Sequence, residues 1–182
     1  MSEIADRYRR LSTEFADRIA AVPPDRWASP SPCDDWTALE LVQHVVDTQS
    51  MFLGLVGRDP TGAPPVADDP AAAWKAASAV VQADLDDPER AGVTFQGFFG
   101  ESTFEQAVDR FVNFDLVVHR WDLARATGGD ERIDPEDVEH VMAAVAGFGD
   151  ALRTQGVCGP EVEAADDADP SVRMLAFLGR TA

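Results

Sequence analysis

The amino-acid sequence predicts an all-α protein, an up-down four-helix bundle with extra short helices and loops. Long segments carry apolar residues at intervals of three and four, which is the spacing of one helical face. Stretches rich in Pro, Gly and Asp separate these segments. Sustained strand-like alternation is absent, apart from residues 92–99. With 182 residues, of which 45% are hydrophobic, the chain is expected to form a single domain over residues 1–182.

The first two predicted helices are amphipathic and have clear ends. The first covers about residues 3–22 and stops at Pro23-Pro24, because proline interrupts helical hydrogen bonding. The second starts at the capping-box pattern Thr37-Ala38-Leu39-Glu40 and runs to about Val56. Their apolar stripes are Ile4, Tyr8, Leu11, Phe15, Ile19 and Val22 in the first helix, and Leu41, Val45, Thr48, Phe52 and Leu55 in the second.

A third helix is expected to begin at Asp69-Pro70, with Asp69 as its cap, and to end near Asp87-Pro88. The glycine-containing segment that follows, residues 92–100, is open to two interpretations. It is either a short extended excursion or an apolar loop packed over the bundle. Its apolar residues are Val93, Phe95, Phe98 and Phe99.

Capping signals also mark the later helices. Ser102-Thr103-Phe104-Glu105 is a second capping box and predicts the longest helix, about residues 103–127. Asp134-Pro135 predicts a fifth helix to about Arg153, and Asp169-Pro170 starts a short last helix. The positions of the fifth helix expected to face inward are Val138, Val141, Met142, Val145, Phe148 and Leu152.

The charge balance excludes several classes of partner. The chain has 15 Lys and Arg residues against 33 Asp and Glu residues, which gives a formal net charge of −18. Such a surface repels phosphate backbones and anionic membranes, so neither nucleic acid nor a membrane is an expected partner. There is no apolar run near the ~20 residues that span a bilayer, and no apolar signal core at the N-terminus. A soluble, cytoplasmic protein is expected, with a homodimer left open.

Three polar residues interrupt the apolar stripes and form the predicted site. His44 lies beside Leu41 and Thr48 on the inner face of the second helix. On the fourth helix Asp115 and His119 occupy stripe positions one turn apart. A buried carboxylate is costly unless it is paired, hydrogen-bonded or metal-bound. His140 lies off the stripe of the fifth helix and is expected at the surface.

Two imidazoles and one carboxylate form a recognised ligand set for one divalent metal ion. Catalytic zinc sites use three such ligands and keep a position open, and iron(II) uses the same set; imidazole also suits nickel and copper. The alternative is a buried Asp115–His119 pair joined only by a hydrogen bond, with His44 bonded to a nearby hydroxyl. Asp122 is a candidate to orient the His119 ring. An ion pair with Arg125 is the alternative for that carboxylate.

The remaining reactive and aromatic residues are interpreted structurally. Cys33 precedes a helix start, where a thiolate is stabilised, but His44 lies about two turns further on, too far to act as its base. Cys158 has no partner motif. Arg120 and Arg125 are expected to be solvated at the surface. Three tryptophans are expected to be core or loop anchors: Trp36, Trp74 and Trp121.

Two segments resemble the conserved blocks of a known family. SPCDDWTALELVQHVV, residues 31–46, and DLVVHRWDLARATG, residues 115–128, are similar to blocks of the mycothiol-dependent maleylpyruvate isomerase N-terminal domain family. The ending RMLAFLGR, residues 173–180, resembles a stand-alone actinobacterial branch. The resemblance implies a DinB-like four-helix bundle with a divalent metal on His44, Asp115 and His119. The isomerase has a glutamate where this chain has Asp115, and it has a C-terminal domain that this sequence lacks, so maleylpyruvate itself is not the expected substrate.

The implied chemistry uses a metal and a thiol. Zinc is the expected metal, with nickel or iron as alternatives, and a low-molecular-weight thiol of the mycothiol type is the implied cofactor. A metal-activated thiolate would attack an electrophilic substrate in an S-transferase or isomerase, while a metal-bound water would act in a hydrolase. Two further hypotheses stay open: a non-catalytic metal-binding or sensing protein that acts through a partner, and a structural domain whose polar trio is only hydrogen-bonded.

Overall fold

The computed structural model describes residues 2–33, 36–59, 62–97, 100–149, 151–154 and 157–182. The chain divides into two compact units, Met1–Asp130 and Glu131–Ala182, which are described separately. Both are built mainly of helices, as predicted. The expectation of a single domain over residues 1–182 stays a prediction.

Four long helices form the frame of the first unit. They are α1 (Glu3–Ala20), α2 (Ala38–Leu55), α3 (Pro70–Leu85) and α6 (Asn113–Thr127). Shorter elements connect them: a 3-10 turn (Pro24–Arg26), α4 (Pro88–Ala91), strands β1 (Thr94–Gly97) and β2 (Gly100–Thr103), α5 (Phe104–Ala107) and a π-helical turn (Val108–Val112). None of the helices within the described ranges is long and apolar enough to cross a membrane.

Contacts along the helices give their directions. The start of α1 meets the end of α3, where Gln82 donates to the Ala5 carbonyl, and Phe15 packs against Trp74 at the start of α3. These two helices are therefore antiparallel. Since Tyr8 near the start of α1 donates to Gln49 in α2, the interior also contains a polar link between these two helices.

The last long helix, α6, runs parallel to α1 and antiparallel to α2. Arg7 of α1 pairs with Asp109, just before α6, while Glu14 one to two turns later pairs with Arg120. On the other side, Phe52 at the end of α2 stacks on Phe111. The directions in chain order are up, down, down, up, which refines the predicted bundle and requires a long connection between two parallel helices, α2 and α3.

Helix starts follow the predicted capping chemistry with one shift. Thr37 and Glu40 form the predicted capping box of α2, and Asp69 caps α3. The second box is displaced by one residue, because Thr103 is the cap of α5 and Gln106 is its partner, rather than Ser102 and Glu105. Ser102 belongs to strand β2, whose pairing with β1 extends the chain up to Thr103.

The core of the first unit consists of the predicted stripes, with an exception at the end of α2. Leu55 was expected inside but is 45% exposed, while Leu53 is fully buried. Leu55 is the last residue of α2, and the chain turns away at Gly57. The largest fully buried side chains here are Trp74, Tyr8, Phe15, Phe104, Leu11, Leu41, Leu53, Leu116 and Leu123.

The predicted helix over residues 103–127 contains a π-helical turn. The Asn113 amide donates to the Val108 carbonyl, five residues earlier, which inserts one extra residue into the turn. As a result Val112 is fully buried, whereas Phe111 is only half-buried. The turn lies directly before the segment of α6 that carries Asp115 and His119.

The segment after α4 forms an antiparallel hairpin, the extended alternative of the two interpretations. Thr94 pairs with Thr103 and Gly97 with Gly100. Phe98 and Phe99 lie outside the described residues.

The second unit contains α7 (Pro135–Ala146), α8 (Ala151–Thr154) and α9 (Pro170–Phe177), with α7 packed against α9. The expected fifth helix to Arg153 is therefore shorter, because the chain turns at Gly147 and Gly149 takes a positive φ of 54°. Met142 was expected inward but is 38% exposed, and His140 is partly exposed. The other predicted core residues are buried: Val138, Val141, Val145, Phe148 and Leu152.

Candidate metal centre

The structure brings His44, Asp115 and His119 together between α2 and α6. The two oxygens of the Asp115 carboxylate face different rings: Oδ2 lies 3.7 Å from His44 Nε2, and Oδ1 lies 3.9 Å from His119 Nε2. The two ring centroids are 5.1 Å apart and the planes nearly perpendicular, at 82°. One nitrogen or oxygen atom of each residue lies within 4.8 Å of the others. These atoms form a cluster of two imidazoles and one carboxylate.

Helix geometry explains this convergence. Asp115 and His119 are one turn apart on α6 and share a face, and antiparallel α2 presents His44 opposite them. The exposed fraction of the side chain decreases from His44 to His119. It is 35% for His44, 19% for Asp115 and 8% for His119. The site therefore opens to solvent at His44 and ends at His119 inside the bundle.

Asp122 holds the buried side of His119. Its Oδ2 lies 3.0 Å from His119 Nδ1, and its side chain is fully buried. A hydrogen bond from Nδ1–H to this carboxylate places the lone pair of the neutral ring on Nε2, the nitrogen that faces Asp115. Arg125, the alternative partner considered for Asp122, lies over the Trp121 ring at 5.7 Å.

A loop before α2 adds two residues that sequence reasoning did not place at the site. The Ser31 amide donates to the Trp36 carbonyl, and Pro30 pairs with Thr37 in an isolated bridge, so the loop closes on itself. Trp36, predicted as an anchor, lies against His44 with ring centroids 4.6 Å apart. Asp34 and Asp35, which belong to the first family-like block, lie outside the described residues. Trp74 and Trp121 are buried in the core as expected.

Cys33 contacts the buried end of the site. Its Sγ lies 3.4 Å from Asp122 Oδ2 and 4.0 Å from His119 Nδ1. Sequence reasoning compared Cys33 only with His44, the histidine nearest along the chain. Cys33 and His119 are 86 residues apart, so no local spacing relates them. Only the packing of the loop against α6 brings them together.

The prediction for Arg120 is wrong. It was expected to be solvated, but its side chain is 13% exposed and pairs with Glu14 of α1. The parallel packing of α1 against α6 places this glutamate beside it. Arg120 therefore helps to join α1 to α6, the helix that carries Asp115 and His119.

Comparison with known proteins identifies the family. The family model of the mycothiol maleylpyruvate isomerase N-terminal domain matches residues 8–124. The chain belongs to this family. The matched span includes His44, Asp115, His119 and Asp122, and the resemblance of the two sequence blocks is thereby confirmed.

Relatives of similar length are known from an actinobacterium. Two proteins of Mycobacterium tuberculosis, from strains CDC 1551 / Oshkosh and ATCC 25618 / H37Rv, are each 33% identical to this chain over 176 residues. The alignment covers 96% of this chain and 96% of each relative, and both carry the name uncharacterized protein. No solved structure matches this chain significantly.

Proposed function

We propose that His44, Asp115 and His119 bind one divalent metal ion, and that the protein uses it to activate a low-molecular-weight thiol of the mycothiol type. The thiol would react with an electrophilic substrate, so the activity is that of an S-transferase or isomerase. The observation that carries this proposal is the placement of both Asp115 oxygens opposite histidine nitrogens, at 3.7 Å and 3.9 Å.

The donor set fits a metal ion in number, chemistry and spacing. Two imidazoles and a carboxylate are the three protein ligands of many catalytic zinc sites, with a fourth position open. Donor atoms bonded to a tetrahedral ion at about 2.0–2.2 Å lie roughly 3.4 Å apart. One donor atom of each residue lies within 4.8 Å of the others, so a bound ion would draw the three donors closer together. The two separations from Asp115, 3.7 Å and 3.9 Å, involve its two different oxygens. They are too long for hydrogen bonds, which end near 3.2 Å. Zinc is the metal we expect, and nickel or iron also suits these donors.

The charge at the site supports the same proposal. Among the described residues no arginine or lysine pairs with Asp115, whose partners are the two histidines. Imidazoles carry no permanent charge, and a divalent cation would compensate the charge of this partly buried carboxylate.

A divalent ion at this position would lower the pKa of a bound thiol and so supply a thiolate at neutral pH. The chain's own residues prepare the site for such a ligand. Asp122 keeps the His119 ring in one orientation, and Trp36 covers one side of His44. Phe111, four residues before Asp115 in the sequence, stacks on Phe52 with ring centroids 5.7 Å apart.

Elemental analysis of protein purified without an affinity tag tests the metal site. Wild type should hold about one divalent ion per chain, and His119→Ala should hold none. His140→Ala is the matched control, because it removes the histidine that lies outside the site, and it should retain the ion. Equal metal content in wild type and His119→Ala would refute the assignment.

A thiol panel tests the activity. Metal-loaded wild type should consume an electrophile such as a chlorinated nitrobenzene or an unsaturated carbonyl compound with mycothiol as co-substrate. A chelator should abolish turnover, and added zinc should restore it. Bound metal with no turnover on any thiol would contradict the enzymatic proposal and leave a metal-binding protein that acts through a partner.

A further inference from the structure

We propose that the chain carries a second metal-binding set on the opposite nitrogen of the same histidine. Its donors are Cys33 Sγ, His119 Nδ1 and Asp122 Oδ2, and it takes a thiophilic divalent ion such as Cd²⁺. The set shares His119 with the centre proposed above but uses neither His44 nor Asp115.

The three donor atoms are spaced for one ion. Cys33 Sγ lies 3.4 Å from Asp122 Oδ2 and 4.0 Å from His119 Nδ1, and Nδ1 lies 3.0 Å from Oδ2. With zinc as a guide, metal–sulfur bonds of about 2.3 Å and metal–nitrogen or –oxygen bonds of about 2.0–2.2 Å place tetrahedral donors roughly 3.4–3.6 Å apart. Each measured separation is within about half an ångström of that range.

The charge and softness of the donors favour a thiophilic ion. A thiolate and a carboxylate together neutralise a divalent cation, so the ion and its donors form a neutral group within the bundle. Asp122 is fully buried and His119 is 7% exposed. An uncompensated charge would carry a large desolvation cost at such buried positions. A thiolate selects soft ions over magnesium or calcium. Cys33 is only half-buried and is the side from which an ion would enter.

The geometry argues against a nucleophilic cysteine. In a catalytic triad the nucleophile and the orienting carboxylate contact opposite nitrogens of the histidine. Here Cys33 and Asp122 both contact the Nδ1 side of His119. The histidine therefore cannot take the thiol proton at one nitrogen while Asp122 orients the other.

Both donor sets depend on one imidazole, and this makes them compete. A neutral imidazole has one lone pair, which serves Nε2 or Nδ1 but not both. When an ion binds at Nδ1, the ring proton moves to Nε2, where Asp115 Oδ1 lies 3.9 Å away. The Cys33 thiol proton leaves to solvent. An ion in the second set therefore withdraws His119 from the first.

Cadmium titration of the full chain tests the second set, with the near-ultraviolet thiolate-to-cadmium absorption band as the readout. Wild type, Cys158→Ala and His44→Ala should all show the band. Cys33→Ser should lose it and bind Cd²⁺ at least about tenfold more weakly, since even outer-shell changes reach that size. Cys158 is the matched control, because it is the other cysteine of the sequence and belongs to the other unit.

A second measurement, alkylation of Cys33, uses only the wild-type protein and so does not depend on the folding of a variant. Cd²⁺ should slow alkylation of Cys33 by iodoacetamide, mapped by mass spectrometry, and leave Cys158 unchanged. A band that persists in Cys33→Ser, a band lost in His44→Ala, or unprotected Cys33 would overturn the inference. If these cadmium tests fail but zinc still binds to His44, Asp115 and His119, the proposed function is unaffected. A cadmium band without that zinc binding would refute only the proposed function.

Discussion

Two carboxylates of the bundle, Asp84 and Asp115, are removed from solvent to different extents and have different partners. Asp84, near the end of α3, is fully buried, and each of its oxygens faces an arginine at 3.0 Å: Arg58 at Oδ2 and Arg90 at Oδ1. Asp115 also has one partner for each oxygen, but these are His44 and His119 at 3.7 Å and 3.9 Å. Permanent cations at bonding distance complete the first cluster. The second has histidine rings, which carry no permanent charge, at distances longer than hydrogen bonds.

This difference separates a structural cluster from a binding site. Arg58 lies in the turn after α2, and Arg90 is part of α4, so Asp84 joins three segments of the chain. Arginine stays charged at any relevant pH. Arg90 also donates a hydrogen bond to Oδ1 of Asp84, whereas the Arg58 contact with Oδ2 is an ion pair without hydrogen-bond geometry. Within the part of the chain that the structure describes, Asp115 pairs with no arginine or lysine, and its site opens to solvent at His44. The cluster around Asp84 is closed, whereas the cluster around Asp115 accepts a ligand.

Metal addition should give the largest effect if this comparison is correct. A ligand that binds only the folded state at about 1,000 times its Kd stabilises by about 4 kcal/mol. We expect zinc to raise the unfolding free energy of wild type by this order, measured by urea denaturation. His119→Ala should show no gain, and His140→Ala should respond like wild type. An equal gain in His119→Ala would place the ion elsewhere.

Neutralising the two carboxylates without metal should have unequal consequences for stability. Asp84→Asn leaves two arginines without their shared partner, and breaking a buried ion pair costs about 3–5 kcal/mol. Arg58 and Arg90 are 23% and 52% exposed and regain some hydration, so we expect a loss of about 2–3 kcal/mol.

Asp115→Asn is the matched variant. It removes a charge that no permanent cation compensates, so metal-free stability should change by no more than about 0.5 kcal/mol, as at an ordinary position. Urea unfolding of the metal-free variants measures both. Equal losses in the two variants would mean that Asp115 is as structurally paired as Asp84.

Sequence reasoning found the Asp115 cluster more readily than the Asp84 cluster for a physical reason. His44, Asp115 and His119 interrupt apolar stripes, and helical periodicity is a local property that the sequence displays. The capping box at Thr37 is equally local and was confirmed. The fold class and most core positions follow from the same two signals.

Contacts between distant segments were not predicted. Cys33 reaches His119 only through the loop before α2, and Arg120 reaches Glu14 only through the packing of α1 on α6. The π-helical turn at Val108–Val112 also has no composition signature, so a continuous helix was predicted there. In each case the decisive information is the relative placement of elements, which spacing along one helix does not contain.

Asp122→Asn tests whether the Asp122 carboxylate orients the His119 ring for metal binding. It keeps the shape of the side chain but weakens the acceptor that holds His119 Nδ1–H. Partners of this kind change metal affinity by about 10–100-fold when mutated. We expect a Kd for zinc weaker by that factor, measured by competition with a chromogenic chelator. Asp137→Asn, a buried carboxylate in the other unit, is the control and should bind zinc like wild type. An unchanged Kd in Asp122→Asn would show that the ring is held by packing alone.

A smaller effect than at Asp84 is expected at a carboxylate that is exposed rather than buried. Glu40 accepts hydrogen bonds from the Thr37 amide at 2.8 Å and the Thr37 hydroxyl at 2.7 Å, and these lower its pKa below the ordinary value. Because the folded-state pKa is lower than the unfolded one, the stabilisation is present above the ordinary glutamate pKa. It is lost as the pH falls through the folded-state value.

Substitutions in the capping box of α2 test whether this exposed carboxylate contributes less to stability than the buried Asp84. Thr37→Ala should cost about 1 kcal/mol at neutral pH, the usual size for an N-cap. It should flatten the dependence of stability on acid pH only in part, because the backbone amide at position 37 still donates to Glu40. Glu40→Gln preserves a side-chain acceptor without a titrating group, so it should retain more stability at neutral pH and remove this pH dependence. Urea unfolding from neutral to acid pH measures both. A loss in Thr37→Ala larger than that in Asp84→Asn would contradict the ranking, since an exposed hydrogen-bonded carboxylate would then matter more than a buried, arginine-paired one.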